Sequence, residues 1–362
     1  MHNDNLGEGA MVLSRIFPNS RVREFQRGSA GLYSLFKTIR DLHGAGEIIV
    51  PNLCCETVAL AALFAGHQVR FADVDEQRFC VTPSSIQNVM GPLTRAVVVA
   101  HLFGFTVDAR AFAELRTSNP GVIFIEDVAH AAGGRASTGC EVGSGFDHAM
   151  FSFSPTKILR GEGGAMLSYR SDEVTTRFHD PRNATVHAQI DPLLALSLRN
   201  SVHAVADLHR AGSLGAGADI SFAFWERFRP LVASDGPFTI DKQAVTDLKN
   251  RFDIQAQRIS RAAQYRRAIQ HNGFSLAEFS EVETCWRFPI LAESPSLRRR
   301  ATDALRREGL NASNHYFPLN RLFCKDELPA SEYIGDRIIN LWVDDSVSDM
   351  EISKTVKIIN SL

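Results

Sequence analysis

The sequence predicts an α/β layered domain built on a mainly parallel sheet, followed by a smaller α+β unit. Three observations predict it. Helical and strand patterns alternate repeatedly between residues 29 and 170. The runs 96–101 and 122–126 are almost continuously apolar, which suits strands buried on both faces of a sheet. From Asp241 onward the character changes to long charged helices with short strands between them.

Residues 29–43 place Leu32, Leu35, Phe36, Ile39 and Leu42 at helical spacing, with Gly44 as C-cap. Residues 47–51 read as a short buried strand ending on a proline, 57–65 as a helix and 69–74 as a strand. After the two apolar runs, 146–153 and 165–169 supply further strands. Leu194, Leu198, Val202, Val205 and Leu208 mark an amphipathic helix entered through Asp191-Pro192, and the glycine-rich stretch 212–217 reads as a loop. Residues 249–269 read as one charged helix and 286–290 as a short strand. Ser348 and Glu351 fit a capping box that opens a C-terminal helix with Ile352, Val356 and Ile359 on one face. The domain boundary is placed near residue 238. This gives a large domain, 1–238, whose segment 171–238 is atypical, and a small domain, 239–362.

At 362 residues the chain exceeds the size at which one core keeps growing. Hydrophobic content of 44% and charged content of 22% are ordinary for a globular protein. A net charge of −2 gives no electrostatic footprint for nucleic acid. No apolar run approaches the roughly 20 residues that span a bilayer, and the first residues lack the pattern of a secretory signal. The six cysteines have no C-x-x-C spacing, and Cys54 and Cys55 are adjacent. That suits reduced thiols in the cytoplasm, with no metal site expected.

Three segments carry chemistry, each at a strand end or helix start, where open α/β sheets hold ligands. In Gly28-Ser29-Ala30-Gly31, small residues and free N–H groups before a helix suit a phosphate, although the same residues alone read first as an N-cap. Asp127, in Glu126-Asp127-Val128-Ala129-His130, follows a buried strand; it reads equally as a solvated strand end or as the partner of a cation. Lys157 lies in Ser152-Phe153-Ser154-Pro155-Thr156-Lys157, ahead of Gly161-Glu162-Gly163-Gly164. Lysines in such turns are usually solvated. A lysine that attacks a carbonyl must instead lose its proton, which takes burial or nearby positive charge.

Taken in order, these motifs resemble the DegT/DnrJ/StrS family of fold-type I, pyridoxal-phosphate (PLP) dependent sugar aminotransferases. The resemblance rests on Val50-Pro51, Gly66 to Asp75, Ala100-His101-Leu102-Phe103-Gly104, Glu126 to Gly133, Ser152 to Lys157 with the following glycines, and the segments 328–332 and 337–341. It implies a mainly parallel seven-stranded sheet between helices. It implies Lys157 as the Schiff-base lysine, with Asp127 on the pyridine nitrogen and His130 near the ring hydroxyl. Ser152 with Gly28, Ser29 and Ala30 would hold the phosphate. A homodimer is implied as well, and amino transfer from glutamate or glutamine to a keto-sugar, commonly nucleotide-linked, or a keto-cyclitol.

Two departures bear on the substrate side. Cys55 stands where the family often stacks an aromatic ring on the cofactor; its sulfur gives less area. Residues 232–238 replace the family's cross-dimer "G-x-N-x-R-M" segment. Arg160, His315 and Tyr316 are candidate substrate contacts, although each also reads as a surface or packing residue. Dehydratases of this fold replace the lysine with histidine, so Lys157 argues against that activity. The alternative from another class is a non-catalytic PLP-binding regulatory or assembly protein.

Overall fold

The computed structural model describes residues 7–180, 192–214, 220, 222–233 and 238–362. Its larger sheet has seven strands: β1 (Arg21–Phe25), β2 (Glu47–Pro51), β3 (Gln68–Ala72), β4 (Thr94–Ala100), β5 (Ile123–Asp127), β6 (His148–Ser152) and β7 (Gly164–Ser168). They lie in the order β1-β7-β6-β5-β4-β2-β3. The β2–β3, β2–β4, β4–β5 and β5–β6 pairs are parallel. β6–β7 and β7–β1 are antiparallel.

Alternate residues of the central strands feed two cores. Val97, Val99 and Phe124 join one cluster; Ala96, Val98, Ile123 and Ile125 join the cluster on the opposite face. Apolar side chains on both faces explain why β4 and β5 read as unbroken apolar runs, since neither face meets water. The sequence reading missed β1. Its Arg-Val-Arg-Glu-Phe sequence is charged at three of five positions, and Val22 and Phe25 enter opposite cores, so neither alternation nor an apolar run marks it.

The second sheet is antiparallel, in the order β10-β11-β9-β8, from β8 (Phe274–Leu276), β9 (Phe288–Ala292), β10 (Ala312–Ser313) and β11 (Ile338–Leu341). The strand expected at 286–290 begins two residues later. Cys285 has a positive φ of 49° and the Trp286 N–H donates to Phe103 O, so the chain is still turning there. The helix expected at 249–269 spans Arg251–Ala268, and a further helix, Lys242–Lys249, precedes it across Asn250 at φ −101° and ψ 15°. The amphipathic helix near 194–208 spans Pro192–Arg210. Asp191 and residues 215–217 of the expected loop lie outside the described residues, as do 234–237 of the departing segment. The C-terminal helix Asp349–Asn360 opens with the expected capping box between Ser348 and Glu351. No helix among the described residues is long and apolar enough to cross a membrane.

Candidate active site

Parallel pairing brings the C-terminal ends of β4, β5 and β6 side by side. Ala100 sits opposite Asp127, and Asp127 opposite Met150. The chain leaves β6 into a turn closed by the Lys157 N–H donating to Ser154 O at 2.9 Å. Gly163, at φ 97°, returns it to β7 by accepting from the Phe153 N–H at 2.9 Å. That turn delivers Lys157 into a cavity lined also by Cys54, Cys55, His101, Asp127, His130 and Tyr316.

Lys157 is not the solvated lysine its local sequence permits. Its Nζ lies 3.0 Å from His130 Nε2 and 5.6 Å from the centre of the Trp286 ring. Burial lowers its pKa, against the opposing pull of Cys55 and Asp127. A depressed pKa leaves more of the amine unprotonated and nucleophilic near neutrality.

Asp127 accepts the Ala129 N–H at 3.0 Å. Burial raises its pKa, opposed first by the charge on Lys157. A carboxylate desolvated in this way is stabilised by a cationic group placed against it. The ring of His130 lies flat on Trp286, with centroids 3.9 Å apart and planes 5° apart. Trp286 is pinned by its Nε1–H donating to Thr156 O at 2.6 Å. Burial, reinforced by Lys157, drives the His130 pKa well down, so the ring is neutral. Its Nε2 lies within hydrogen-bond distance of both the Lys157 amine and the Tyr316 hydroxyl, the latter 3.1 Å away.

Behind this layer lies a buried pair. His101 Nδ1 accepts the Val107 N–H at 2.9 Å, so the proton of a neutral ring is on Nε2, which donates to Glu126 Oε1 at 2.8 Å. Glu126 also accepts the N–H groups of Gly143 and Gly145. The pair fixes the residue just before Asp127.

The remaining sequence candidates divide. Cys55 lines the cavity, but its sulfur is 3.1 Å from Thr57 Oγ1; the aromatic stack at this site is His130 on Trp286. Gly28 opens the helix Gly28–His43 directly against Ser152: a Cβ placed on Gly28 would come 2.4 Å from Met150 Sδ and 3.3 Å from Ser152 Cβ. A side chain there would push Met150 aside and crowd Phe151 O and Ser152, so glycine eases the close approach of the helix start to Ser152. Neither residue lines the Lys157 cavity, and nor do Ser29 and Ala30; the Ser29 hydroxyl reaches Leu231 O at 3.4 Å. Tyr316 lines the cavity, whereas His315 lines a chamber beside it. Arg160 is elsewhere: its guanidinium pairs with Asp345 at 2.7 Å and Asp247 at 3.7 Å. Sequence reasoning passed over Trp286, His101 and Cys54. His101 stood in a quoted motif without a role, and nothing local to Trp286 connects it to residue 130. No cluster of His, Cys, Asp or Glu able to hold a metal occurs among the described residues.

The chain is similar in sequence and in fold to known proteins. Residues 25–190 match the model of the DegT/DnrJ/EryC1/StrS aminotransferase family. Over 158 residues the chain is 33% identical to a UDP-N-acetyl-3-dehydro-alpha-D-glucosamine 3-aminotransferase of Acidithiobacillus ferrooxidans, covering 43% of this chain and 42% of that protein. Over 160 residues it is 32% identical to the L-glutamine:2-deoxy-scyllo-inosose aminotransferase of Streptomyces kanamyceticus, covering 43% and 36%. The match thus spans less than half the length of these relatives. The fold agrees over nearly the whole chain with an aminotransferase, TlmJ, from Streptoalloteichus hindustanus: TM-score 0.74, 20% identity, 98% of this chain and 91% of that one. The segment that matches the DegT/DnrJ/EryC1/StrS aminotransferase family model, residues 25–190, includes the cavity residues Asp127, His130 and Lys157.

Proposed function

We propose that the protein is a PLP-dependent aminotransferase that moves an amino group from glutamate or glutamine to a keto-sugar or keto-cyclitol. The observation that carries this reading is the Lys157 amine held in a cavity with a desolvated carboxylate and a neutral imidazole. The donor set fits PLP: a nucleophilic amine for its aldehyde, and a buried carboxylate for its ring nitrogen. Once bound, PLP supplies an electron sink for the carbon that gains or loses the amino group.

The chain's own residues do the rest. Lys157 anchors the cofactor through Nζ and, once released, carries a proton to and from the substrate carbon. Asp127 holds a proton at the pyridine nitrogen. His130, kept neutral and flat by Trp286, offers a hydrogen bond at the ring's edge, and Tyr316 Oη orients its Nε2. The start of the helix Gly28–His43, with Ser152 packed against it, holds the phosphate. Ala100 and Ala129 complete the cavity lining with small side chains. A cytoplasmic homodimer with a small domain from residue 239 completes the reading.

The test is a half-reaction. Protein loaded with PLP and mixed with glutamate or glutamine should convert to the pyridoxamine form, followed by its visible absorbance. Bound PLP that stays inert to every amino acid would favour the regulatory alternative and overturn this assignment.

A further inference from the structure

Trp286 has every polar group engaged. Its N–H donates to Phe103 O, after β4, and its Nε1–H to Thr156 O, after β6, each at 2.6 Å. Its carbonyl accepts from two guanidiniums, Arg258 Nη1 and Arg287 Nη1, each at 3.0 Å. The Arg287 guanidinium also lies over two indoles, 4.8 Å from the centre of the Trp286 ring and 4.2 Å from that of Trp342. Strand pairing explains the second contact. The register of β9 and β11 ends with Phe288 opposite Leu341, so the next residues outward, Arg287 and Trp342, leave the sheet side by side. Two residues further on, Asp344 Oδ2 accepts from Arg287 Nη1 at 2.7 Å. The Trp286 ring in turn carries His130 face to face, and His130 Nε2 is 3.0 Å from Lys157 Nζ. A continuous series of ring contacts, Trp342, Arg287, Trp286 and His130, thus runs from the smaller sheet to the Lys157 amine.

Packing alone does not account for a cation in that series. Arg258 and Arg287 are each 3% exposed, and burial lowers the pKa of both, that of Arg258 to about 10. Asp344 is the carboxylate whose pull opposes that shift at both residues. Arg287 Nε is buried without a hydrogen-bond partner among the described residues. Apolar side chains of similar volume fill such a place at least as stably. A planar guanidinium does what they cannot: it is attracted to an indole face while its N–H groups hold a carbonyl and a carboxylate. Its charge acts on the same histidine. Burial keeps His130 neutral in the first place, and positive charge on Lys157, Arg287 and Arg258 adds to that.

We propose that Arg287 is a positioning residue: lying over Trp342 and Trp286, it fixes the Trp286 indole and through it the plane of the His130 imidazole beside Lys157. The proposal rests on the aminotransferase reading above for what His130 does, and adds the group of the smaller sheet that sets its orientation. Orientation matters because a hydrogen bond weakens steeply as its angle departs from linear, so a tilted His130 would hold the cofactor ring less well.

The experiment reads the ring directly. Full-length protein carrying isotope-labelled histidine, with and without PLP, is compared by NMR for the wild type, Arg287→Met, Arg287→Lys and Trp342→Leu. His130→Gln assigns the His130 signal. Protons of a ring stacked on an indole are shifted upfield, and Trp286→Leu gives the unshifted position. Arg287→Met, which keeps the length but neither charge nor plane, should lose at least half of that shift. It should also weaken PLP about 10-fold, as the loss of one hydrogen bond implies. Arg287→Lys, with charge but no planar fork, should lose a comparable part. Trp342→Leu, which alters no charge, should lose a smaller part and carries the test with Arg287→Lys if Arg287→Met does not fold. A His130 signal that stays at the wild-type position in the Arg287 variants overturns the proposal. So does full recovery in Arg287→Lys, which would make charge alone sufficient, or a lost shift with unchanged PLP affinity. Variants that lose the shift in a protein that never converts with glutamate would leave Arg287 as the residue that orients His130 and refute the aminotransferase reading instead.

Discussion

Replacing His101 by alanine should destabilise the protein more than its distance from the surface or its size alone would imply. The ring spends both nitrogens on buried partners: it accepts the Val107 N–H and donates to Glu126 Oε1. His101 is 1% exposed and Glu126 2%. A hydrogen bond to a charged group contributes about 1.5–3 kcal/mol, and an orphaned buried donor costs about 1–3 kcal/mol. Glu126 would retain the N–H groups of Gly143 and Gly145, which limits the damage on its side. The expected loss is therefore about 3–5 kcal/mol, the range for breaking a buried pair by removing one member. Urea unfolding followed by circular dichroism measures it, with Glu126→Gln and the double variant closing a thermodynamic cycle. The coupling between the two sites should exceed about 1 kcal/mol. A loss below about 1 kcal/mol, or additive effects, would refute the hydrogen-bond logic and with it the view that this pair fixes Asp127.

Other outcomes follow from the same geometry. Lys157→Ala should abolish the visible absorbance of protein-bound PLP, and an unchanged band would remove Lys157 as the anchor. Asp127→Ala should keep weak PLP binding but lower turnover at least about 100-fold, because nothing then holds the ring nitrogen protonated; near-normal turnover would sink that role. Trp286→Ala should cost about 3–5 kcal/mol of stability and raise the pKa of His130, read by NMR, since removing the stacked ring re-admits water; an unmoved histidine would contradict the burial argument. Finally, His148 is bridged to His179 through the Ser168 hydroxyl, at 2.8 Å on each side, and burial holds the two rings down at about 4 and about 3. The unfolded chain binds protons near the ordinary value of about 6.5. Unfolding thus takes up protons below that value, and stability is lost as pH falls from about 6.5 toward about 4, on the order of 3 kcal/mol for His148 alone. His148→Asn should flatten this limb of a stability–pH curve, and an unchanged slope would exclude His148 as its source.

Much of the architecture was legible from local pattern. The runs that became β4 and β5 had no polar face, which only a strand covered on both sides tolerates, and the C-terminal capping box is written within four residues. Lys157, Asp127 and His130 were legible for a different reason: each sits on a motif at a strand end, and parallel pairing puts such ends together. The edge strand β1 was missed because three of its five residues carry charge and its two apolar residues, Val22 and Phe25, fit no period of two.

By itself the sequence determined the layered α/β class, the strands of the central sheet and the segments that meet at their C-terminal ends, because burial imposes a period on the residues nearest in sequence. The tertiary structure alone decided that Trp286 lies flat under His130 and that His101 holds Glu126. These contacts join residues 156 (286 − 130) and 25 (126 − 101) positions apart, and no local spacing encodes them. They are set by how two sheets and an added helix pack, and that packing decides which buried polar groups find partners.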